Sequence, residues 1–137
     1  MTPDALAALH ARCFKTPRPW SAAEFTSLLA GNGVFLTATK TGFALGREIA
    51  GEVELLTLAV DPAHQKQGFG RQLLNQFETT AFNRGAQIAF LEVACTNAAA
   101  IQLYQSAGYT ESGKRPAYYT APSGPKIDAV VMRKPLI

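Results

Sequence analysis

Cysteine is scarce in this sequence: among 137 residues only Cys13 and Cys95 occur, far apart along the chain. Two cysteines exclude a disulfide-rich scaffold, and their separation matches no metal-binding spacing. We therefore expect two free thiols, as in a cytoplasmic protein, and no metal site. The net charge is also small, at +3, so the composition gives no reason to expect direct binding of nucleic acid.

Long apolar runs are absent too. No stretch of the sequence approaches the roughly 20 apolar residues that a membrane-spanning helix needs, so we expect no membrane segment. The beginning of the chain, MTPDALAALHARCF, lacks the features of a signal peptide and has the pattern of an amphipathic helix. With 47% hydrophobic and 17% charged residues, and without a linker or repeat, residues 1–137 are predicted to form a single globular domain.

Apolar periodicity and turn signals predict ten elements in the order α-α-β-β-β-α-β-α-β-β. Four helices are predicted. The first spans 3–13, the second begins after a Ser21–Glu24 capping box and ends at Gly31, the third spans 69–84, and the fourth runs from Asn97 to about 107. The predicted strands are 34–39, 42–49, 52–60, 88–94 and two antiparallel strands around the loop 122–125. This order indicates an α/β fold of the mixed α+β kind, with a β-α-β crossover in the middle.

One stretch, LLTLAVDPAHQKQGFGRQLL at residues 55–74, leads from an apolar strand through a polar turn into a helix. The first backbone N–H groups of a helix have no partner within it, and the helix dipole adds partial positive charge there. Gly68 and Gly70 carry no side chain that would keep a bulky anion away. Lys66 and Arg71 add positive charge on either side. The stretch thus has the features of a pyrophosphate site; an ordinary helix start with solvated basic residues is the alternative.

Two other phosphate-binding loops do not fit this stretch. A P-loop ends in Gly-Lys-Ser/Thr, and neither GFGRQ nor the later SGPKI supplies that ending. A dinucleotide-binding turn has a third glycine where this sequence has Leu73, and it follows its strand closely. Here seven residues, 61–67, separate the predicted strand from Gly68. A dinucleotide-binding fold is therefore not expected.

Three stretches of the sequence carry a recognisable pattern: QKQGFG at residues 65–70, LEVACTNAAAIQLYQSAGY at 91–109 and RPAYY at 115–119. The first matches Gln/Arg-x-x-Gly-x-Gly/Ala, the acetyl-CoA signature of the GNAT N-acetyltransferases, and the second matches another motif of that family. With all three, the sequence resembles the GNAT N-acetyltransferases, and within them the RimI-type ribosomal-protein alanine acetyltransferases most of all. The resemblance implies a mostly antiparallel sheet in which one parallel pair, strands 52–60 and 88–94, is splayed at the acetyl-CoA site. It also implies a first strand that this sequence lacks.

The resemblance implies a role for residues along the whole site. The pantetheine arm would lie along the backbone of Leu58, Ala59 and Val60. The pyrophosphate would accept hydrogen bonds from the N–H groups of Lys66, Gln67, Gly68, Phe69, Gly70 and Arg71, and Asn97 would also contact acetyl-CoA. Glu92 aligns with the general base and Tyr104 with the general acid. The acceptor would lie beside Trp20, Tyr118 and Tyr119.

Chemistry gives independent support to some of these roles. Acetyl transfer to an amine requires a group that accepts a proton, and Glu92 is a charged residue in an otherwise apolar strand, AFLEVA. Each of these residues also has an alternative, purely structural interpretation. Glu92 could be a solvent-facing or salt-bridged acid, Tyr104 a core aromatic residue, and Asn97 a simple helix cap. Tyr118 and Tyr119 could be aromatic residues that pack on a strand.

The acceptor is the least determined part of the prediction. An α-amine has a pKa of about 7.7–8.0 and a lysine of about 10.4, so neutralising lysine costs roughly 3.4 kcal/mol more. A site with one carboxylate base therefore suits a protein N-terminus, including that of a ribosomal protein. A small-molecule amine acetyltransferase and a non-catalytic acyl-CoA-binding module are the alternatives.

Overall fold

The computed structural model describes residues 1–136, which form four α-helices and six strands. The helices are α1 (Pro3–Cys13), α2 (Ala22–Leu29), α3 (Phe69–Asn83) and α4 (Ala98–Ser106). The strands are β1 (Val34–Ala38), β2 (Gly42–Ile49), β3 (Glu52–Val60), β4 (Ile88–Ala94), β5 (Thr110–Thr120) and β6 (Lys126–Pro135). A short 3₁₀ helix, Pro62–His64, lies between β3 and α3. The predicted order of elements is confirmed, with bounds that agree to within about one residue.

The six strands form one sheet in the order β1-β2-β3-β4-β6-β5. Every neighbouring pair is antiparallel except β3 and β4, which are parallel. The parallel register covers only Glu52–Leu55 against Ile88–Leu91, after which the two strands separate. The predicted mixed sheet with a splayed parallel pair is therefore confirmed. Within residues 1–136 no strand precedes α1, so β1 forms the edge of the sheet.

Local sequence signals explain where the helices begin. Ser21 Oγ accepts a hydrogen bond from the backbone N–H of Glu24, whose carboxylate accepts one from the N–H of Ser21, which completes the predicted capping box. Asn97 caps α4 through its side-chain oxygen, which accepts the N–H of Ala100. Gly68 precedes α3 in the left-handed conformation, with φ of 86°, a conformation that glycine adopts without steric cost.

Helices cover both faces of the sheet, and each face has its own hydrophobic core. Helices α3 and α4 pack on one face, where α3 buries Leu73, Leu74, Phe77 and Ala81 and leaves Phe69 half-buried. Helices α1 and α2 pack on the other face. The two cores fix the sheet from both sides, so the gap between β3 and β4 lies in a rigid frame. No helix within residues 1–136 is both long and apolar enough to cross a membrane.

A β-bulge in β3 changes which face its second half presents. Leu45 of β2 pairs with Thr57, but its neighbour Gly46 pairs with Leu55, so Leu56 is an extra residue. In a regular strand residues 55 and 57 would share a face. Here Leu55 belongs to the core under α3 and α4, whereas Thr57 contacts α1. The bulge therefore turns the end of β3, where it leaves β4, towards α1.

Candidate active site

The gap between β3 and β4 opens into a cavity of about 120 Å³. It lies where the parallel pairing ends at Leu55 and Leu91. Six residues predicted to form a site line it: Trp20, Leu58, Glu92, Asn97, Tyr104 and Tyr119. Twelve residues that were not predicted also line it, and five of these come from α1, the segment after it and the end of β3: His10, Phe14, Thr16, Pro17 and Thr57. The fold thus brings residues from α1, β3, β4, α4 and β5 to one point.

Glu92 is the charged residue nearest the end of the parallel pairing. It follows Leu91 directly, and only 12% of its side chain is exposed. One carboxylate oxygen, Oε1, lies 3.0 Å from Nε of Arg115, whereas Oε2 is buried and has no hydrogen-bond partner among the described residues. A buried oxygen without a partner costs free energy. Glu92 therefore has hydrogen-bonding capacity that Arg115 alone does not satisfy.

Two tyrosines accompany Glu92 in the cavity. Tyr104 of α4 is buried, and this burial, together with the nearby Tyr119, raises the pKa of its hydroxyl above the ordinary value. Burial, followed by the negative charge of Glu92, raises the pKa of Tyr119 to about 12. Both hydroxyls are therefore protonated at neutral pH and can donate hydrogen bonds. Tyr118 is 52% exposed and does not line the cavity, although the charge of Glu92 raises its pKa as well.

The start of α3 offers backbone donors, as the sequence predicted. The first helical hydrogen bond runs from the N–H of Gln72 to the carbonyl of Gly68, at 3.1 Å. The N–H groups of residues 69–71 precede it and have no acceptor in the helix. A Cβ placed on Gly68 would meet nothing within 4 Å. The space in front of this helix end is thus open to a ligand. Lys66, with φ of 63°, lies in the tight turn before it.

Gly70 and Arg71 differ from the prediction. A Cβ on Gly70 would lie 3.3 Å from the side chain of Leu103, so the missing side chain here permits close packing of α3 against α4. The guanidinium of Arg71 donates to the carbonyl of Ser106 at 3.1 Å. It was expected to flank the anion site with a free charge, but the negative end of the α4 dipole attracts it. The backbone N–H of Arg71 has no acceptor within the helix, and its contact with a pyrophosphate stays a prediction.

The second half of β3 has an open edge towards β4. Its pairing with β2 continues to Val60, but its pairing with β4 ends at Leu55. An extended ligand can therefore add to this edge as a further strand would. The carbonyl oxygen of Val60 already accepts from Cys13 Sγ at 3.2 Å and from Gln65 Nε2 at 3.0 Å. These bonds fix the end of the strand against α1 and the turn before α3.

His10 is the most informative residue that sequence reasoning missed. Its Nδ1 accepts the backbone N–H of Trp20 at 3.0 Å, so in the neutral ring the proton is on Nε2, which donates to Thr57 Oγ1 at 3.0 Å. Its ring stacks on that of Trp20, with centroids 4.9 Å apart. His10 therefore holds Trp20 against the cavity. The only sequence signal was its place beside Leu6 and Leu9 on the apolar face of α1.

Burial lowers the pKa of His10 from 6.5 to about 4. Above pH 6.5 both folded and unfolded chains hold the ring neutral. As pH falls below 6.5, His10 binds a proton in the unfolded chain but stays neutral in the folded one. We therefore expect the free energy of unfolding to fall by up to about 3 kcal/mol by pH 4. Urea unfolding at several pH values measures this. His10→Gln should flatten the pH dependence, whereas His64→Gln, an exposed control, should not. Equal slopes for His10→Gln and the unchanged protein would contradict the assignment.

No group of three or more potential metal ligands occurs within the described part of the chain, 1–136. The groups that line the cavity are one carboxylate, two tyrosine hydroxyls, an asparagine and the imidazole–threonine pair. Such a set is suited to proton transfer and hydrogen bonding. Together with the open strand edge and the free helix start, it forms a site for an extended, anionic ligand next to a proton acceptor.

Comparison with known proteins agrees with this geometry. The pattern that defines the acetyltransferase (GNAT) family matches residues 4–109. The ribosomal protein bS18-alanine N-acetyltransferase of Escherichia coli K12 is 36% identical over 139 residues, covering 98% of this chain and 93% of that protein. The N-alpha-acetyltransferase RimI of Mycobacterium tuberculosis is 38% identical over 137 residues, covering 93% and 83%.

Solved structures share the fold. The crystal structure of the ribosomal-protein-S18-alanine N-acetyltransferase from Escherichia coli superposes with a TM-score of 0.84 and 34% identity, covering 98% of this chain and 86% of that one. The structure of Arabidopsis thaliana NAA60 in complex with acetyl-CoA has a TM-score of 0.82 at 17% identity, covering 98% and 93%. The second likeness concerns the fold alone.

Proposed function

The chain belongs to the GNAT acetyltransferase family, and from this premise we propose that it transfers the acetyl group of acetyl-CoA to the N-terminal α-amine of a protein. The observation that carries the proposal is that Glu92, whose Oε2 is buried and unpartnered among the described residues, lines the same cavity as the protonated Tyr104. A proton acceptor and a proton donor therefore lie at the end of one splayed strand pair. Amine acetylation needs the acceptor and is assisted by the donor.

The donor side of the proposal uses backbone groups. The open edge of β3, residues 58–60, would bind the amide-containing pantetheine arm as an added strand. The free N–H groups at the start of α3 and the charge of Lys66 would bind the pyrophosphate. The cap of α4 uses only the side-chain oxygen of Asn97. The amide NH₂ of the same side chain would therefore be able to donate a hydrogen bond to acetyl-CoA. Because these groups are fixed by the fold, they would hold the thioester beside the cavity with little loss of entropy.

The acceptor side would carry out proton transfer. Acetyl-CoA supplies a thioester, and its C–S bond breaks as the C–N bond forms. Glu92 would take the proton that the amine loses, directly or through a water molecule. Tyr104 would donate its hydroxyl proton to the departing sulfur and recover a proton from solvent. Trp20 and Tyr119 line the cavity and would flank the acceptor, with Tyr118 at the entrance.

We propose an α-amine because of what the site contains. Glu92 is the only carboxylate among the residues lining the cavity in the described chain. An α-amine, with a pKa of about 7.7–8.0, needs less help to lose its proton than a lysine at about 10.4. One relative is named for alanine N-acetylation of a ribosomal protein and another as an N-alpha-acetyltransferase, and both names favour an α-amine. A ribosomal-protein N-terminus is therefore the acceptor we propose first.

Release of free CoA from acetyl-CoA tests the proposal. We expect short peptides that copy ribosomal-protein N-termini to stimulate release, and the same peptides with a blocked α-amine to give none. Polyamines and free amino acids serve as the comparison. Stimulation by these amines but not by peptides would identify a small-molecule acetyltransferase. Tight acetyl-CoA binding without release in any reaction would identify a non-catalytic acyl-CoA-binding module. Either result would overturn the proposed function.

A further inference from the structure

Arg115 forms an ion pair with Glu92, the residue that we propose as the general base. Its Nε lies 3.0 Å from Oε1 of Glu92, and the pair joins β5 to β4 across β6. The carboxylate is 12% exposed and the guanidinium side chain 57% exposed. A carboxylate that is largely withdrawn from water is stabilised by an opposite charge. Arg115 supplies that charge, yet it reaches the carboxylate from the solvent side.

The backbone around Arg115 is suited to an exchangeable contact. The register between β5 and β6 shifts once between Glu111 and Gly113, breaks again after Arg115, and resumes at Tyr119. Within the break Ala117 has φ of 53°, and its N–H donates to Asp128 at 2.8 Å. The break therefore has a fixed shape, and the mobile part is the long arginine side chain. The guanidinium carbon also lies 5.5 Å from the ring centre of Tyr118, an aromatic face on which a released arginine can rest.

We propose that Arg115 is a positioning residue that the acceptor's ammonium group displaces from Glu92. One cation leaves the carboxylate as another arrives, so the buried negative charge is never left without a partner. The bound ammonium then gives one proton to Glu92, which passes it to solvent, and the neutral amine attacks the thioester. Glu92, ionised again, takes the second proton as the C–N bond forms and the C–S bond breaks, while Tyr104 protonates the departing sulfur and recovers a proton from solvent. Arg115 returns once Glu92 has released this second proton to solvent. This inference rests on the proposed function and adds that the acceptor enters as a cation.

The exchange limits the class of acceptor. A primary amine that is protonated in solution can compensate Glu92 on arrival, whereas an alcohol or an amide cannot and would have to bind with Arg115 in place. The site should therefore prefer cationic amines even to smaller neutral nucleophiles. Arg115 should weaken acceptor binding in the unchanged protein, because its contact must be broken first, and it should have little effect on acetyl-CoA.

Kinetics of Arg115→Ala test the exchange. We expect the KM for the acceptor peptide to fall about three- to fivefold, the range that a partly exposed ion pair provides, while the KM for acetyl-CoA stays unchanged. Arg115→Lys should stay near the unchanged protein. Arg133→Ala is the matched control, since Arg133 forms a similar pair with Glu52 at 3.1 Å and neither residue lines the cavity. A higher acceptor KM in Arg115→Ala would overturn the inference, because Arg115 would then bind the acceptor.

A binding measurement tests the same idea without turnover. Methylguanidinium, observed by saturation-transfer NMR, should bind Arg115→Ala in the vacated place. It should not bind the unchanged protein there, nor the double variant Arg115→Ala, Glu92→Gln. Equal binding to the single and double variants, or none to the single variant, would overturn the exchange. This measurement needs no acceptor, so it is independent of transferase activity. A failed exchange in an active transferase would overturn only the role of Arg115, and a successful exchange in an inactive protein would overturn only the proposed function.

Discussion

Glu92→Gln is expected to lower kcat by about 100- to 10,000-fold, the usual contribution of a general base. Glutamine has nearly the same shape, but its amide cannot accept the proton that the amine must lose. Acetyl-CoA binding should be unchanged, because the proposed donor contacts come from β3 and the start of α3 and do not involve this side chain. Steady-state kinetics measures the first effect, and calorimetric titration with acetyl-CoA the second.

A matched control separates this role from the loss of any carboxylate. Glu52→Gln removes the acid of another arginine pair at the far end of the same parallel strands, where 51% of the side chain is exposed. It should leave kcat near that of the unchanged protein. The folded state of Glu92→Gln is checked by its urea unfolding curve. A folded Glu92→Gln variant with near-normal kcat would show that another group accepts the proton.

Gly68→Asp is expected to weaken acetyl-CoA binding by about 10- to 100-fold, since a carboxylate a few ångströms from a pyrophosphate repels it by about 1–3 kcal/mol. Gly68 lies directly before the free N–H groups of α3, and a Cβ there would meet no other residue within 4 Å. Its φ of 86° strains the backbone of any residue with a side chain, so a variant with the same strain but no charge is needed as a control. Calorimetric titration gives the dissociation constant. The weakening should diminish at high salt, because it is electrostatic.

Two variants isolate the charge from the backbone. Gly68→Asn has the same shape as Gly68→Asp and tolerates the left-handed conformation, so it should bind acetyl-CoA more tightly than the aspartate variant. Gly51→Asp introduces the same residue at an equally open position with the same φ of 86°, in the turn between β2 and β3 at the other end of the strand. It should leave binding unchanged. Equal affinities for Gly68→Asp and Gly68→Asn would contradict a phosphate site at this helix end.

Much of the fold was predictable because its signals are local. The capping box at Ser21 and the strand β3 from 52 to 60 were read directly from neighbouring residues. The β-bulge at Leu56 was not predictable, because it depends on the register between two strands. Gly46 stands opposite the bulge, and a Cβ there would lie 2.5 Å from the ring of Phe77. Such a requirement comes from tertiary packing, which a single sequence does not reveal.

The site divides in the same way. Glu92, Tyr104 and Asn97 were predicted from motifs, and all three line the cavity. The contacts that complete the site were not predicted: His10 with Thr57, 47 residues apart, and Arg115 with Glu92 across the sheet. These contacts depend on which residues the folded chain brings close together. Such distances cannot be read from the order of residues along the chain.

The central claim is tested most directly by locating the acetyl group on a product. A peptide with a free N-terminal alanine and an internal lysine is incubated with the protein and acetyl-CoA, and tandem mass spectrometry finds the modified nitrogen. The account predicts acetylation of the α-amine, absent with Glu92→Gln. Acetylation of the lysine instead, or an unmodified peptide beside an acetylated small amine, would contradict it.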